Sequence, residues 1–289
     1  NASIHAADNL ADRLGNGEWG FGGEVGYGSV RHKTGSWLDL KGFSASVAYG
    51  HKIAAASGVS TTGVFVEYGD GEYDVFSHVC RYGDVLGRGN SKSIGGGLFH
   101  KHEFGSGTKT EFFVRGGRVD NSFTVTSDPW LRHPEVHSYS TDTEYYGAHI
   151  GISRNIPLKR NADITLYAQG RYTHINDDSL VTSFGDTIRA DSIDSLRSRV
   201  GARLSRRNTA DTIKAYAGAA WEYEFKGETA GFLGEDAITA PPSLKGGSLF
   251  GELGLQVNTG KDTNIDLSTY GYSGAQTGWG IRLGLEHSL

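Results

Sequence analysis

Cysteine is nearly absent. Cys80 is the only one in 289 residues, which excludes an internal disulfide framework and a cysteine metal quartet, so it reads as a loop thiol. Proline is also scarce: Pro129, Pro134, Pro157, Pro241 and Pro242 are the only five, all expected in connections where they remove no ladder hydrogen bond. No apolar run approaches the roughly 20 residues that a spanning helix needs, and mean hydropathy is −0.39, so helical membrane insertion is excluded. Strands escape that test, because every second residue can face away from lipid. Net charge is −5 with a pI near 6.1, which leaves no basic stripe and no case for nucleic acid. Phosphate-loop and Gly-x-Ser-x-Gly spacings are missing too, so neither nucleotide hydrolysis nor an elbow-type hydrolase is indicated. The chain begins at Asn1 with no Met and no charged-then-apolar leader, as expected of a mature or excised fragment.

What is present is glycine, tyrosine and alternation. The 43 Gly and 14 Tyr suit one long antiparallel β-structure better than two helical domains. Near the end, Trp279, Ile281, Leu283 and Leu285 share one face, while Gly280, Arg282, Gly284 and Glu286 share the other. Bulky apolar groups opposite glycine or charge fit a wall between lipid and a watery lumen. The same period predicts about twelve strands, near 18–29, 40–52, 59–68, 91–102, 108–119, 139–153, 163–174, 192–205, 211–224, 248–258, 264–272 and 278–289. The connections between them alternate long and short, apart from the brief last outer one at 273–277. The fold class is therefore all-β: an antiparallel up-and-down transmembrane β-barrel with long external loops and its C-terminus on the periplasmic side. A soluble sandwich or lipocalin-like barrel would need an unusually large core to absorb so many long strands.

Face assignment follows from parity. Outward candidates include Phe21, Val47, Val66, Leu166, Val200 and Leu255. Trp19, Tyr27, Tyr49, Tyr172, Trp221, Tyr223 and Trp279 sit toward strand ends as interfacial girdles. Inward candidates form a lumen charge network of Arg115, Arg171, Arg197, Arg199, Arg203, Glu222, Glu224, Glu252 and Arg282, with Glu24, Glu67 and Glu111. Arg cannot be neutralised at accessible pH, so Arg197, Arg199 and Arg203 should meet Glu222, Glu224 or helix acids such as Asp12. Residues 1–14 place Ile4, Ala7, Ala11 and Leu14 at helical spacing before Gly15, predicting a short amphipathic helix within reach of the lumen. The domains are thus 1–15, the helix, and 16–289, the barrel; on the residues alone the helix lies either outside the barrel, as a surface or periplasmic helix, or in the lumen, where Asp8, Asp12 and Arg13 can pair with wall charges. His100 and His102, and His133 and His137, lack a matching ligand set, so no metal and no cofactor is expected. Asp70, Glu72, Asp74, Asp84, Asp177 and Asp178 read as solvated loop charge.

An N-terminal helix, about twelve strands and a chain that stops on its last strand resemble the translocator domain of monomeric (type Va) autotransporters of Gram-negative bacteria. The most specific pieces are Leu196 to Leu204, the stretch from Ala215 to Phe225 with Trp221 and Glu222, and the ending Gly284 to Leu289. The resemblance implies a bacterial outer-membrane barrel, monomeric, that secretes an N-terminal passenger domain to the surface and anchors it, with residues 1–15 as the linker helix threading the pore. It also implies barrel-assembly machinery, periplasmic chaperones and outer-membrane lipid as partners. The barrel itself is expected to be no enzyme. In some relatives an Asn closes on its own carbonyl inside the barrel and releases the passenger, and Asn1 fits the residue left by such a cut, with Glu67, Glu111 and Glu222 as the lumen carboxylates to assist it. The alternative is an outer-membrane diffusion porin or a rim-site outer-membrane enzyme.

Overall fold

The computed structural model describes residues 2–33, 37–79, 83–127, 135–181, 187–227, 231–233, 236–237, 243–260 and 262–289. Asn1, Cys80, Pro129, Pro134, Pro241, Pro242 and His133 lie outside the described residues. The elements in chain order are α1 (Ala2–Arg13), β1 (Trp19–Lys33), β2 (Trp37–Ala55), β3 (Gly58–Val79), β4 (Gly83–Phe104), β5 (Thr108–Ser127), β6 (Glu135–Pro157), β7 (Ala162–Ile175), β8 (Asp178–Val181), β9 (Thr187–Ala190), β10 (Ile193–Arg207), β11 (Ile213–Glu224), β12 (Gly231–Leu233), β13 (Asp236–Ala237), β14 (Gly246–Asn258), β15 (Thr263–Gly274) and β16 (Gln276–Ser288).

Twelve of the strands close a barrel in the order β1-β16-β15-β14-β11-β10-β7-β6-β5-β4-β3-β2, every neighbour antiparallel to the next in sequence. Closure is made by β1 on β16, from Gly20 opposite Ser288 to His32 opposite Gln276. No edge is left open in the ring, so the backbone can sit in hydrocarbon with its polar groups paired. Side chains alternate as the sequence demands. Val66, Ile150, Val200 and Leu253 point outward and are each at least 60% exposed, whereas Glu24, Arg199, Glu222, Glu252 and Arg282 point inward and are buried. An apolar surface this extensive and continuous matches lipid, not water. Among the described residues no helix is long and apolar enough to cross a membrane.

Several expectations from sequence need correction: Asp178, read as loop charge, begins β8, and the expected connection between 119 and 139 is largely strand, since β5 and β6 stay paired out to Ser127 opposite Glu135. The segment 69–90 is not a loop: β3 and β4 stay paired from Gly58 opposite Phe104 to Val79 opposite Gly83, so Asp70, Glu72, Asp74 and Asp84 are strand residues. Above Tyr68 the outward face becomes polar, which removes the lipid-facing apolar row without ending the backbone ladder. Pro157, expected in a connection, is the last residue of β6. In addition, β13-β12-β9-β8 form a small second sheet from the two long connections after β7 and β11.

Candidate functional site: the bore and its helix

The helix α1 is an alanine-rich sequence whose buried positions, Ala2, Ser3, Ala6, Ala7, Leu10 and Ala11, recur at a four-residue spacing and form one stripe. It ends where Leu14 N donates to Leu10 O at 3.0 Å. Gly15 N then donates to Glu18 Oε2 at 2.6 Å, and Gly17 turns the chain with φ +85° while its N–H reaches Lys52 O at 2.7 Å. These bonds pin the C-terminal end of α1 to the short-turn mouth, beside the start of β1.

The wall is carved to take the stripe. A Cβ at Gly22 would stand 2.6 Å from Ala6 O and 3.1 Å from Leu10 Cβ, and one at Gly20 would stand 2.7 Å from Leu14 Cδ2. Close approach of helix to strand therefore requires glycine at position 22, whereas at Gly20 the nearest obstacle is the His287 carbonyl of the paired strand β16 and Leu14 Cδ2 is a side-chain tip that can give way. Ala6, Ala7, Leu10 and Leu14 pack with Ala48, Phe65, Phe99 and Phe113 in one buried cluster, with Phe99 stacked on Phe113 at 5.8 Å. Fully burying a leucine contributes about 1.5–3 kcal/mol, so Leu10 and Leu14 alone hold the helix firmly.

Charge secures its flanks. Lys101 Nζ reaches Asp8 Oδ1 at 2.6 Å, Lys109 Nζ reaches Asp12 Oδ1 at 2.7 Å, and Lys52 Nζ donates to Ala11 O at 2.9 Å, where the last helical carbonyls need donors. At the other end, Ser3 Oγ donates to Glu67 Oε2 at 2.8 Å. Glu67 also accepts from the Tyr145 hydroxyl at 2.7 Å and pairs with Arg115 at 3.3 Å. Glu67 lies nine residues into β3 from the short-turn end, so α1 begins deep inside the bore and descends to the mouth.

Across the bore stands the arginine wall. Arg199 donates to Glu222 at 2.7 and 2.9 Å and to the Tyr272 hydroxyl at 2.9 Å, and lies 4.1 Å over the Phe250 ring. Glu222 takes Arg171 at 2.6 Å and Gln276 at 3.1 Å as well. Arg197 meets Glu224 at 2.5 Å, and Glu252 gathers Arg203 at 2.8 Å and Arg282 at 3.4 Å. Asp12 is paired with Lys109 on β5, not with these arginines. Between the helix and this wall is a cavity of about 500 Å³, lined by His5, Asp8, Asp12, Arg171, Arg203 and Lys214 among others. Its lining is mainly polar and charged.

Of the three carboxylates singled out for cleavage chemistry, only Glu67 touches the start of the helix. Glu111 is held by His149 at 2.7 Å, Gln169 at 3.1 Å and Lys101 at 3.7 Å, and Glu222 is enclosed by its arginines. Girdle residues fall in two rings. Trp19 stacks on Tyr49 at 5.3 Å near the short turns; Tyr27 and Trp279, 6.3 Å apart, lie toward the long loops with Tyr172, Trp221 and Tyr223. His100 and His102 face outward on β4, bonded to Thr62, Ser57 and Ser60. Phe65, Phe99 and Phe113, which complete the helix seat, were not singled out from sequence; their signal is a bulky apolar group on an otherwise polar inward face.

A family model described as autotransporter β-domain matches residues 20–269. Among solved structures, the translocator domain of the autotransporter NalP from Neisseria meningitidis superposes with a TM-score of 0.75 at 17% identity, covering 98% of this chain and 92% of that one. The β-domain of the Bordetella autotransporter BrkA gives 0.73 at 16% identity, covering 94% and 100%. The transport unit of AIDA-I from Escherichia coli gives 0.66 at 14%, covering 100% and 98%. No curated protein sequence matches. With a closed twelve-strand barrel, a lipid-facing wall and a charged bore already in place, the match over most of the chain means that this protein belongs to the autotransporter β-domain family and is an outer-membrane translocator barrel.

Proposed function

We propose that residues 16–289 carry an N-terminal passenger through the bore and anchor it as a monomer, with residues 1–15 as the linker that threads the pore. The observation that carries this reading is the seat of α1: a polypeptide joined to Ala2 from the cell-surface side must run through the outer half of the bore, past Glu67. The polar wall there offers water and hydrogen bonds to an extended chain and no apolar trap. Before closure, the barrel exposes unpaired edges and a lipid-facing wall, so periplasmic chaperones and the barrel-assembly machinery are its assembly partners.

The barrel turns over no foreign substrate in this reading. Its one reaction is a cut in its own chain just ahead of the helix. An asparagine there closes its side-chain nitrogen on its own backbone carbonyl and expels the amine of the next residue, with Glu67 placed to hold or accept the proton. The full-length protein with its passenger tests both parts. Glu67→Gln should slow passenger release while surface display persists, and unchanged release would assign the cut to a separate protease. Deleting residues 1–15 should abolish display; equal display, or a large conductance indifferent to the deletion, favours a diffusion porin instead.

A further inference from the structure

The barrel wall is uneven at its outer rim. Strand β6 has 23 residues and β7 only 14. On one side β6 pairs with β5 from Thr108 opposite Arg154 to Ser127 opposite Glu135. On the other it pairs with β7 from Pro157 opposite Asp163 only as far as Tyr145 opposite Ile175. A last bond runs from Asn176 N to Glu144 O at 3.0 Å, and then Asn176 and Asp177, residues that favour turns, carry the chain off the ladder. Strand β8 stays beside the foot of this segment, where Thr143 Oγ1 donates to Asp178 Oδ2 at 3.4 Å, but it pairs with β9 in the small second sheet and not with β6. Among the described residues, 135–143 of β6 therefore present a free edge, about 30 Å long at the usual rise of a strand.

This edge lacks the features that keep such a surface unpaired. A free edge is ordinarily short, bulged, or guarded by proline or lysine. The stretch from Glu135 to Thr143 contains no Pro, Gly or Lys, and its register against β5 runs without a bulge. The bond at its foot also fixes which groups are open. Because Glu144 turns its carbonyl toward β7, the period of two turns the N–H and C=O of Asp142, Ser140, Ser138 and Val136 to the same side, while the odd-numbered residues bond β5.

What covers the edge follows from the seat of α1. Ser3 Oγ and the Tyr145 hydroxyl both donate to the Glu67 carboxylate, at 2.8 and 2.7 Å, and Tyr145 is the residue at which the ladder with β7 stops. A chain that enters α1 from the cell surface thus passes the foot of the free edge, heading toward the short turns as β6 does. An extended chain on that path carries unpaired N–H and C=O groups of its own.

We propose that this chain, the passenger-side segment immediately ahead of Ala2, adds to β6 as a parallel strand along residues 135–143. The inference rests on the reading that a passenger runs through the bore. Backbone bonds supply the affinity and demand little of the added sequence. A tethered strand competes at about millimolar effective concentration, so it prevails over the edge of a second copy. The rim of β6 then orders the stem of the passenger where it leaves the bore.

The full-length protein with its passenger, in outer-membrane vesicles, provides the test, with the barrel that starts at residue 1 as reference. Amide exchange at residues 136, 138, 140 and 142 should be slowed roughly five- to tenfold by the passenger chain, as one added backbone hydrogen bond would give. Ser138→Pro with Ser140→Pro removes donors from the free edge and none from the ladder with β5, so heat-modifiable migration should persist while the slowing at 136 and 142 is lost. A photo-crosslinking residue in place of Ser140 should capture the passenger chain of the same molecule, mapped by mass spectrometry after digestion. One in place of Thr173, whose hydroxyl faces the bore and accepts from Arg115 at 3.0 Å, should capture it too. Exchange equal with and without the passenger, or capture of a second copy from position 140, would overturn the docking. Capture from position 173 alone would do so while leaving the route through the bore standing, and capture from neither would remove both.

Discussion

Gly22→Ala isolates the fit between helix and wall. The added methyl would lie 2.6 Å from the Ala6 carbonyl oxygen, a helix backbone atom, and 3.1 Å from Leu10 Cβ. Neither can swing aside as the tip of a flexible side chain could, so the helix must lift or the strand must bend. Overpacking of this kind costs about 1–3 kcal/mol, comparable with the contribution of one buried leucine. At 1.4 kcal/mol per tenfold, the unseated population should rise by about 5- to 150-fold. Gly23→Ala is the matched control: it lies next door on the lipid face, with its nearest neighbour, Ser46 O, at 3.8 Å. Both changes stiffen the unfolded chain alike, so their difference reports the clash alone. Single-channel recordings and protease attack on residues 2–14 should show more frequent open events and faster cleavage for Gly22→Ala than for Gly23→Ala. Identical traces and identical protection would mean that α1 does not rest on β1.

Other substitutions probe the two faces. Val200→Arg, at an outward position 61% exposed to lipid, should disfavour membrane folding by about 2–4 kcal/mol if near the midplane, read from urea titrations in vesicles. Gln169→Arg, at a position that lines the polar cavity, should cost clearly less in the same titration. Glu222→Gln leaves Arg171, Arg197 and Arg199 facing one another; breaking buried pairs costs about 3–5 kcal/mol, so the temperature of heat-modified migration should fall sharply. Arg199→Ala should lower it more than Arg118→Ala, whose partner Asp142 is an exposed ion pair at 3.5 Å. Equal melting for that last pair would mean that the arginine wall bears no load.

The number of barrel strands, their antiparallel type and the faces of their lipid-spanning segments were legible in the sequence. A strand's side chains alternate with period two, so Trp279, Ile281, Leu283 and Leu285 declare their common side wherever the strand is placed. A one-residue slip would have turned Arg199 and Arg203 to lipid, which fixes the register without any knowledge of neighbours. What alternation cannot register is a strand with no lipid on either side. The upper halves of β3 and β4 remain paired after Tyr68, but their outward residues are Asp70, Glu72 and Asp74 while Tyr73 and Val75 face inward, so the sense of the alternation reverses and no lipid-facing apolar face marks them.

Contacts across the bore were decided by the tertiary structure alone. Lys109 with Asp12 joins residues 97 apart, and Lys101 with Asp8 residues 93 apart, because closing the ring brings β4 and β5 beside the helix. Sequence gave Asp12 only a demand for a cation and could not say which wall would supply it. Phe65, Phe99 and Phe113 look misplaced on a polar face until α1 covers them, and inward Ser46 looks open but is 3% exposed, donating to Val66 O at 2.9 Å. Local chemistry thus set what each side chain requires, and only the closed barrel around its helix determined which distant residue met the requirement.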